Sequence, residues 1–86
     1  MPTISRFYGI LIRMYFADHA PPHFHAMYAE HEAVIGIQTF DVLRGQLPPR
    51  ALALVIEWAQ LNQQALMEDW NLCVQNQQPK SIRPLQ

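Results

Sequence analysis

Apolar and polar residues alternate along the first half of the chain and switch to a three-and-four spacing along the second. Ile10, Ile12, Met14 and Phe16 recur at period two. With the apolar stretch before Gly9 they predict strands over 4–8 and 10–16, joined in a hairpin near that glycine. Residues 18–22 read as a connection. The residue before a proline is pushed out of the helical region, and Pro21 and Pro22 have no N–H to give a ladder. A strand is expected to resume over 23–29, turn at Glu30-His31 and return over 32–38. A short segment follows at 41–43, and Gly45, Pro48 and Pro49 then punctuate the chain.

Beyond Pro49, Leu52, Val55, Ile56, Ala59, Leu66, Trp70 and Cys73 recur at helical spacing. Pro49 suits the first turn, where its missing donor costs nothing. One straight helix over 49–75 would be ~40 Å long, more than a small domain is wide, so a bend or break is expected near Asn62-Gln63-Gln64. The tail 77–86 reads as irregular, with Ile82 and Leu85 tucked against the sheet. Strands first and helices after is an α+β order. The expected architecture is a small antiparallel sheet of two N-terminal hairpins packed against a C-terminal helix or bent helix pair. A single domain spans 1–86, with a β-rich half (1–47), a helical half (48–76) and the tail.

With Glu30-His31 at the tip of the second hairpin, Tyr28 faces Ala33, Ala26 faces Ile35 and Phe24 faces Ile37. All six are apolar or aromatic and form the buried face. The opposite face then carries His23 against Gln38, His25 against Gly36 and Met27 against Val34, so both histidines stand together away from the core.

Half of the 86 residues are apolar and 15% are charged, enough for a core and too few charges for a disordered tail. A core of this size gives roughly 3–5 kcal/mol of net stability, which makes a homodimer a reasonable expectation. The net charge of −1 and pI of 6.4 argue against a broad phosphate-neutralising surface, though not against a few arginines around one phosphate. The single Cys73 excludes an internal disulfide and fits a reducing compartment; its apolar, helix-like context reads as a buried thiol. No apolar run is long enough to span a membrane and no secretory signal is visible, so the expected location is the cytoplasm.

Chemistry concentrates at Asp18-His19 and His23-Phe24-His25. Same-face residues two apart on a strand lie ~6.5–7 Å apart, close enough for two imidazoles to converge on one ion or one phosphate. One reading is a divalent-metal site, zinc or nickel, with His19, His23 and His25 as ligands and Asp18 or Glu32 adding an oxygen. A second is metal-free, ribonuclease-like acid–base chemistry by His23 and His25, with Arg13 holding the phosphate. Arg13 and Tyr15 alternate with the apolar positions of their strand and so project toward the histidines. The third reading is a pair of solvated strand histidines without a site. Trp58 and Trp70 read as core, Glu57 and Asp69 as solvated helix faces, and the arginines other than Arg13 as solvated. No phosphate-binding glycine loop and no nucleophile elbow is present.

The run Pro21-Pro22-His23-Phe24-His25-Ala26 closely resembles the family catalogued as domain of unknown function DUF4160, small bacterial and archaeal proteins. Further matching stretches are the opening residues 2–9, Ile12-Arg13-Met14-Tyr15, Asp18-His19, Gly45-Gln46-Leu47-Pro48, Glu57-Trp58-Ala59 and Ile82-Arg83-Pro84-Leu85. The family has no established activity. The resemblance implies a component of a two-gene, toxin–antitoxin-type cassette, acting on nucleic acid such as RNA or through a protein partner encoded by the neighbouring gene (DUF2442-like). The alternative is a non-catalytic metal-binding or protein-interaction module. Some relatives are labelled transcriptional regulators, but no helix-turn-helix spacing is recognisable here. Asn62 stands where histidine is expected in many relatives.

Overall fold

The computed structural model describes residues 2–86. Five strands, β1 (Thr3–Phe7), β2 (Ile10–Arg13), β3 (His23–Tyr28), β4 (His31–Gly36) and β5 (Val42–Gln46), pair antiparallel in sequence order. Two helices follow, α1 (Pro49–Leu61) and α2 (Gln63–Val74). This is the α+β architecture the order of elements predicts. The first hairpin turns through Tyr8 and Gly9, both at positive φ (50° and 78°), as a type I′ turn requires.

One face of the sheet is apolar: Ile10, Ile12, Phe24, Ala26, Ala33 and Ile35 are all buried there. Trp58 of α1 lies over it, with its ring 5.3 Å from Phe7 and 5.8 Å from Phe24. Pro49 occupies the first turn of α1. The helices break at Asn62, whose backbone leaves helical geometry (φ −125°, ψ 25°). Its side-chain amide donates to the Trp58 carbonyl at 2.8 Å, satisfying one of the acceptors left open at the end of α1. Gln63 then donates to the Ile37 carbonyl, pinning the start of α2 to the end of the sheet. The tail runs back along the outer edge of β1: Ile82 donates its N–H to Ile4, and the Arg83 carbonyl accepts from the Trp58 indole. Ile82 is buried and Leu85 half-buried, as their apolar character predicts.

Several local expectations are corrected. The second hairpin turns at Ala29-Glu30, with Ala29 at φ 52°, so the register moves by two residues. His23 pairs with Gly36, His25 with Val34, and Phe24 with Ile35. A shift of two preserves the side-chain alternation, and the apolar and histidine faces are those the sequence predicts. Pairing in β2 stops at Arg13 rather than continuing to 16. The segment after Phe40 is a full fifth strand, and Gly45 lies inside it. Asp69 is not solvated but 2% exposed, because the returning tail crosses it and Lys80 N–H donates to Oδ1 at 2.8 Å. Among the described residues, no helix is long and apolar enough to cross a membrane.

Candidate metal centre

The sheet face turned away from Trp58 carries one continuous row, in which Arg13, His25, Val34 and Arg44 are register partners across β2, β3, β4 and β5. His23 stands two residues before His25 on that face. Both histidines are buried all the same, at 7% and 8% exposure. The Tyr15 ring stacks on His25 at 4.2 Å, and Trp70 of α2 lies 5.0 Å from the His23 ring. The segment between β2 and β3 is tied to the end of α2 by the Ala17 N–H, which donates to the Cys73 carbonyl at 2.9 Å. That tie brings Asp18 over the pair.

The hydrogen bonds define which ring nitrogens are free. His23 Nδ1 lies 2.7 Å from the Pro21 carbonyl oxygen, and His25 Nδ1 lies 3.0 Å from Glu32 Oε2. Both partners only accept, so each Nδ1 carries the proton, and in the neutral ring each Nε2 presents a lone pair. Both Nε2 atoms turn toward one atom, Asp18 Oδ2: His23 Nε2 at hydrogen-bond distance, 2.9 Å, and His25 Nε2 at 3.8 Å. His25 Nε2 is fully buried and has no hydrogen-bond partner.

A lone pair and a carboxylate oxygen repel at 2.9 Å, so this geometry requires a positive charge: a proton on His23 or a cation between the groups. One ligating atom each from Asp18, His23 and His25 falls within a 4.8 Å span. Ligands about 2.0–2.2 Å from a tetrahedral zinc stand roughly 3.4 Å apart, so to close on an ion the wider separations must draw in while the His23–Asp18 pair, at 2.9 Å, opens slightly. Two imidazoles and a carboxylate form a complete three-ligand set that leaves further coordination positions open. Glu32 behind His25 and the Pro21 carbonyl behind His23 are the outer partners that fix tautomer and ring orientation in metal sites. Burial opposes ionisation of Asp18. The His19 N–H, donating to Oδ1 at 2.8 Å, and the two imidazoles outweigh it and hold the carboxyl below its ordinary value.

Of the residues singled out from sequence, His23 and His25 come together. Arg13 lies beside His25 on the same face, its Nε buried without a partner. His19 is exposed and lies outside the convergent set; Asp18, next to it, takes the third position. Sequence reasoning missed Arg44 and the support that Trp70 gives His23. The first follows from the row once the correct register is known, whereas the second depends on a contact 47 residues away in the chain.

The fold and the cluster define a small α+β domain with a histidine–carboxylate centre on the sheet face opposite its main helical cover. The chain belongs to the family of the domain of unknown function DUF4160, whose model matches residues 9–71 and so includes the whole cluster. No curated protein and no solved structure matches the chain.

Proposed function

We propose that this protein binds one divalent cation, zinc or nickel, through Asp18, His23 and His25, and that this centre is its working site. The observation that carries the reading is the convergence of two imidazole Nε2 atoms on Asp18 Oδ2 while both Nδ1 atoms are engaged elsewhere. Bound there, the ion would supply Lewis acidity at its open positions. The test is metal analysis of protein purified without a histidine tag. About one equivalent is expected, lost in Asp18→Ala and His25→Ala; wild-type protein that takes up no zinc or nickel overturns the reading.

The proposed setting is a toxin–antitoxin-type cassette in which the centre acts on nucleic acid, with the neighbouring gene product as the controlling partner. His25→Ala is then expected to abolish growth inhibition while circular dichroism shows the fold intact. Toxicity unaffected by that change rules the role out. A second reading is favoured by the same 2.9 Å contact, which a proton bridges as well as a metal does. In it, His23 and His25 perform acid–base chemistry with Arg13 on the phosphate. Activity on RNA that survives chelation selects this reading, and activity abolished by chelation and restored by metal selects the first.

A further inference from the structure

We infer that a pocket between the tip of the first hairpin and the start of α1 binds a small aromatic carboxylate through Tyr8, Tyr28 and Arg50; the inference stands apart from the metal reading above. The pocket has a volume of about 430 Å³, near the lower end of the range for sites that enclose a small molecule. Ile10 and Tyr28 are register partners across β2 and β3, so both side chains stand on the face of the sheet that α1 covers. Ile10 and Ala51 are buried and Leu54 is half-buried, which gives the pocket an apolar floor. Along β3, Tyr28 lies about 16 Å from His23, and the sheet separates the pocket from the histidine rings.

One of the two rings is held at a cost that folding does not offset. Tyr8 sits at φ 50°, a left-handed conformation that two-residue hairpin turns give to asparagine, aspartate or glycine. The residue is nevertheless 59% exposed, so the core gains little from a tyrosine there. Strain kept without burial points to a use for the ring outside the core. Tyr28 is 37% exposed, and its ring lies 3.5 Å from where a β-carbon on Gly9 would stand, so the glycine lets it rest on the turn beside Tyr8. Two phenol rings over an apolar floor accept a flat ring, offset-stacked or edge to face. Arg50 is the charged residue of the lining. Among the described residues it forms no salt bridge, and the first turn of α1 holds no acidic residue to balance it. One unpaired guanidinium beside an aromatic slot matches a ring carrying one carboxylate, whose two oxygens fit the planar fork. A phosphate dianion would keep a charge without a partner here, and a nucleobase would set polar edges against the apolar floor.

The probe is 2-naphthoate, titrated into isotope-labelled protein while backbone amide shifts are followed by NMR, with 2-naphthalenemethanol as its uncharged counterpart. Saturable shifts are expected at Tyr8, Gly9, Tyr28, Arg50 and Ala51, with half-saturation at about 1 mM or below. The alcohol should bind about ten-fold more weakly. Arg50→Ala should lower naphthoate affinity about ten-fold and leave that of the alcohol unchanged. Tyr8→Asn supplies a residue that the turn prefers. It should therefore melt at or above the wild-type temperature and still bind both probes about five-fold more weakly. No saturable shift at these residues up to about 10 mM, or equal naphthoate affinity in wild type and Arg50→Ala, overturns the site. A Tyr8→Asn variant that melts below wild type also overturns it, by making the ring a structural element. Shifts at the same residues on raising protein concentration alone would assign the pocket to a second copy of the chain and overturn it likewise.

Discussion

Glu32 reaches His25 diagonally across the β3–β4 ladder, and its carboxylate is half exposed at 49%. As an ion pair it contributes little to stability; as the acceptor for Nδ1–H it sets which nitrogen of His25 stays bare. Glu32→Gln keeps the shape but weakens that acceptor. It should lower metal affinity about 10–100-fold with an unchanged stoichiometry, as read by competition against a chromophoric chelator. Asp69, by contrast, is a buried carboxylate, with Oδ2 unpartnered. Burial raises its pKa above the ordinary 3.8, more than the Lys80 N–H lowers it. Between the unfolded and folded values the native state therefore holds more protons than the unfolded one, and stability falls as pH rises through that interval. Asp69→Asn removes this contribution, so urea unfolding across a pH series should show the variant gaining on wild type above about pH 4 and levelling off once the pH has passed the raised folded value. A constant difference at all pH values would refute the assignment.

At the scale of the elements, alternation in β3 and β4 revealed which residues share a face, because parity survives a two-residue slip. It did not reveal the partners, because a tight turn at Ala29-Glu30 requires Ala29 to adopt positive φ, a conformation sequence patterns assign first to glycine or asparagine. The break at Asn62 was legible from helix length, whereas its cap on Trp58 was not. Asp18 was visible as a candidate oxygen donor, but its preference over His19 depends on how Ala17 is tied to the far end of α2. Gly45 shows the same limit. It read as punctuation, yet it lies within β5 at φ 74°, where a β-carbon would run into the Glu32 carbonyl oxygen. Gly45→Ala combines that clash with a strained backbone, and a loss of about 1–3 kcal/mol is expected in chemical denaturation. Since Glu32 must shift to make room, metal affinity should fall with stability.

For the whole molecule, the centre adds a second tie, on the far face of the sheet, between parts of the chain that the main core joins on the other. Asp18 comes from the segment between β2 and β3, His23 and His25 from β3, and Glu32 from β4. The core that Trp58 organises lies on the opposite side of the sheet. A domain this small draws only roughly 3–5 kcal/mol from its core, so an ion that binds the folded chain alone should weigh heavily in the balance. At a free metal concentration of about 100 times Kd the linkage is worth about 2.7 kcal/mol. For a domain of this length each kcal/mol moves Tm by about 4–8 °C. Saturating zinc or nickel should therefore raise Tm by roughly 10–20 °C over chelated protein. His25→Ala should melt at one temperature with or without metal. Asp69→Asn, whose change lies outside the cluster, should keep the full metal-dependent rise, which distinguishes a shift arising at Asp18, His23 and His25 from general ion effects. A rise that persists in His25→Ala would place the ion elsewhere on the protein.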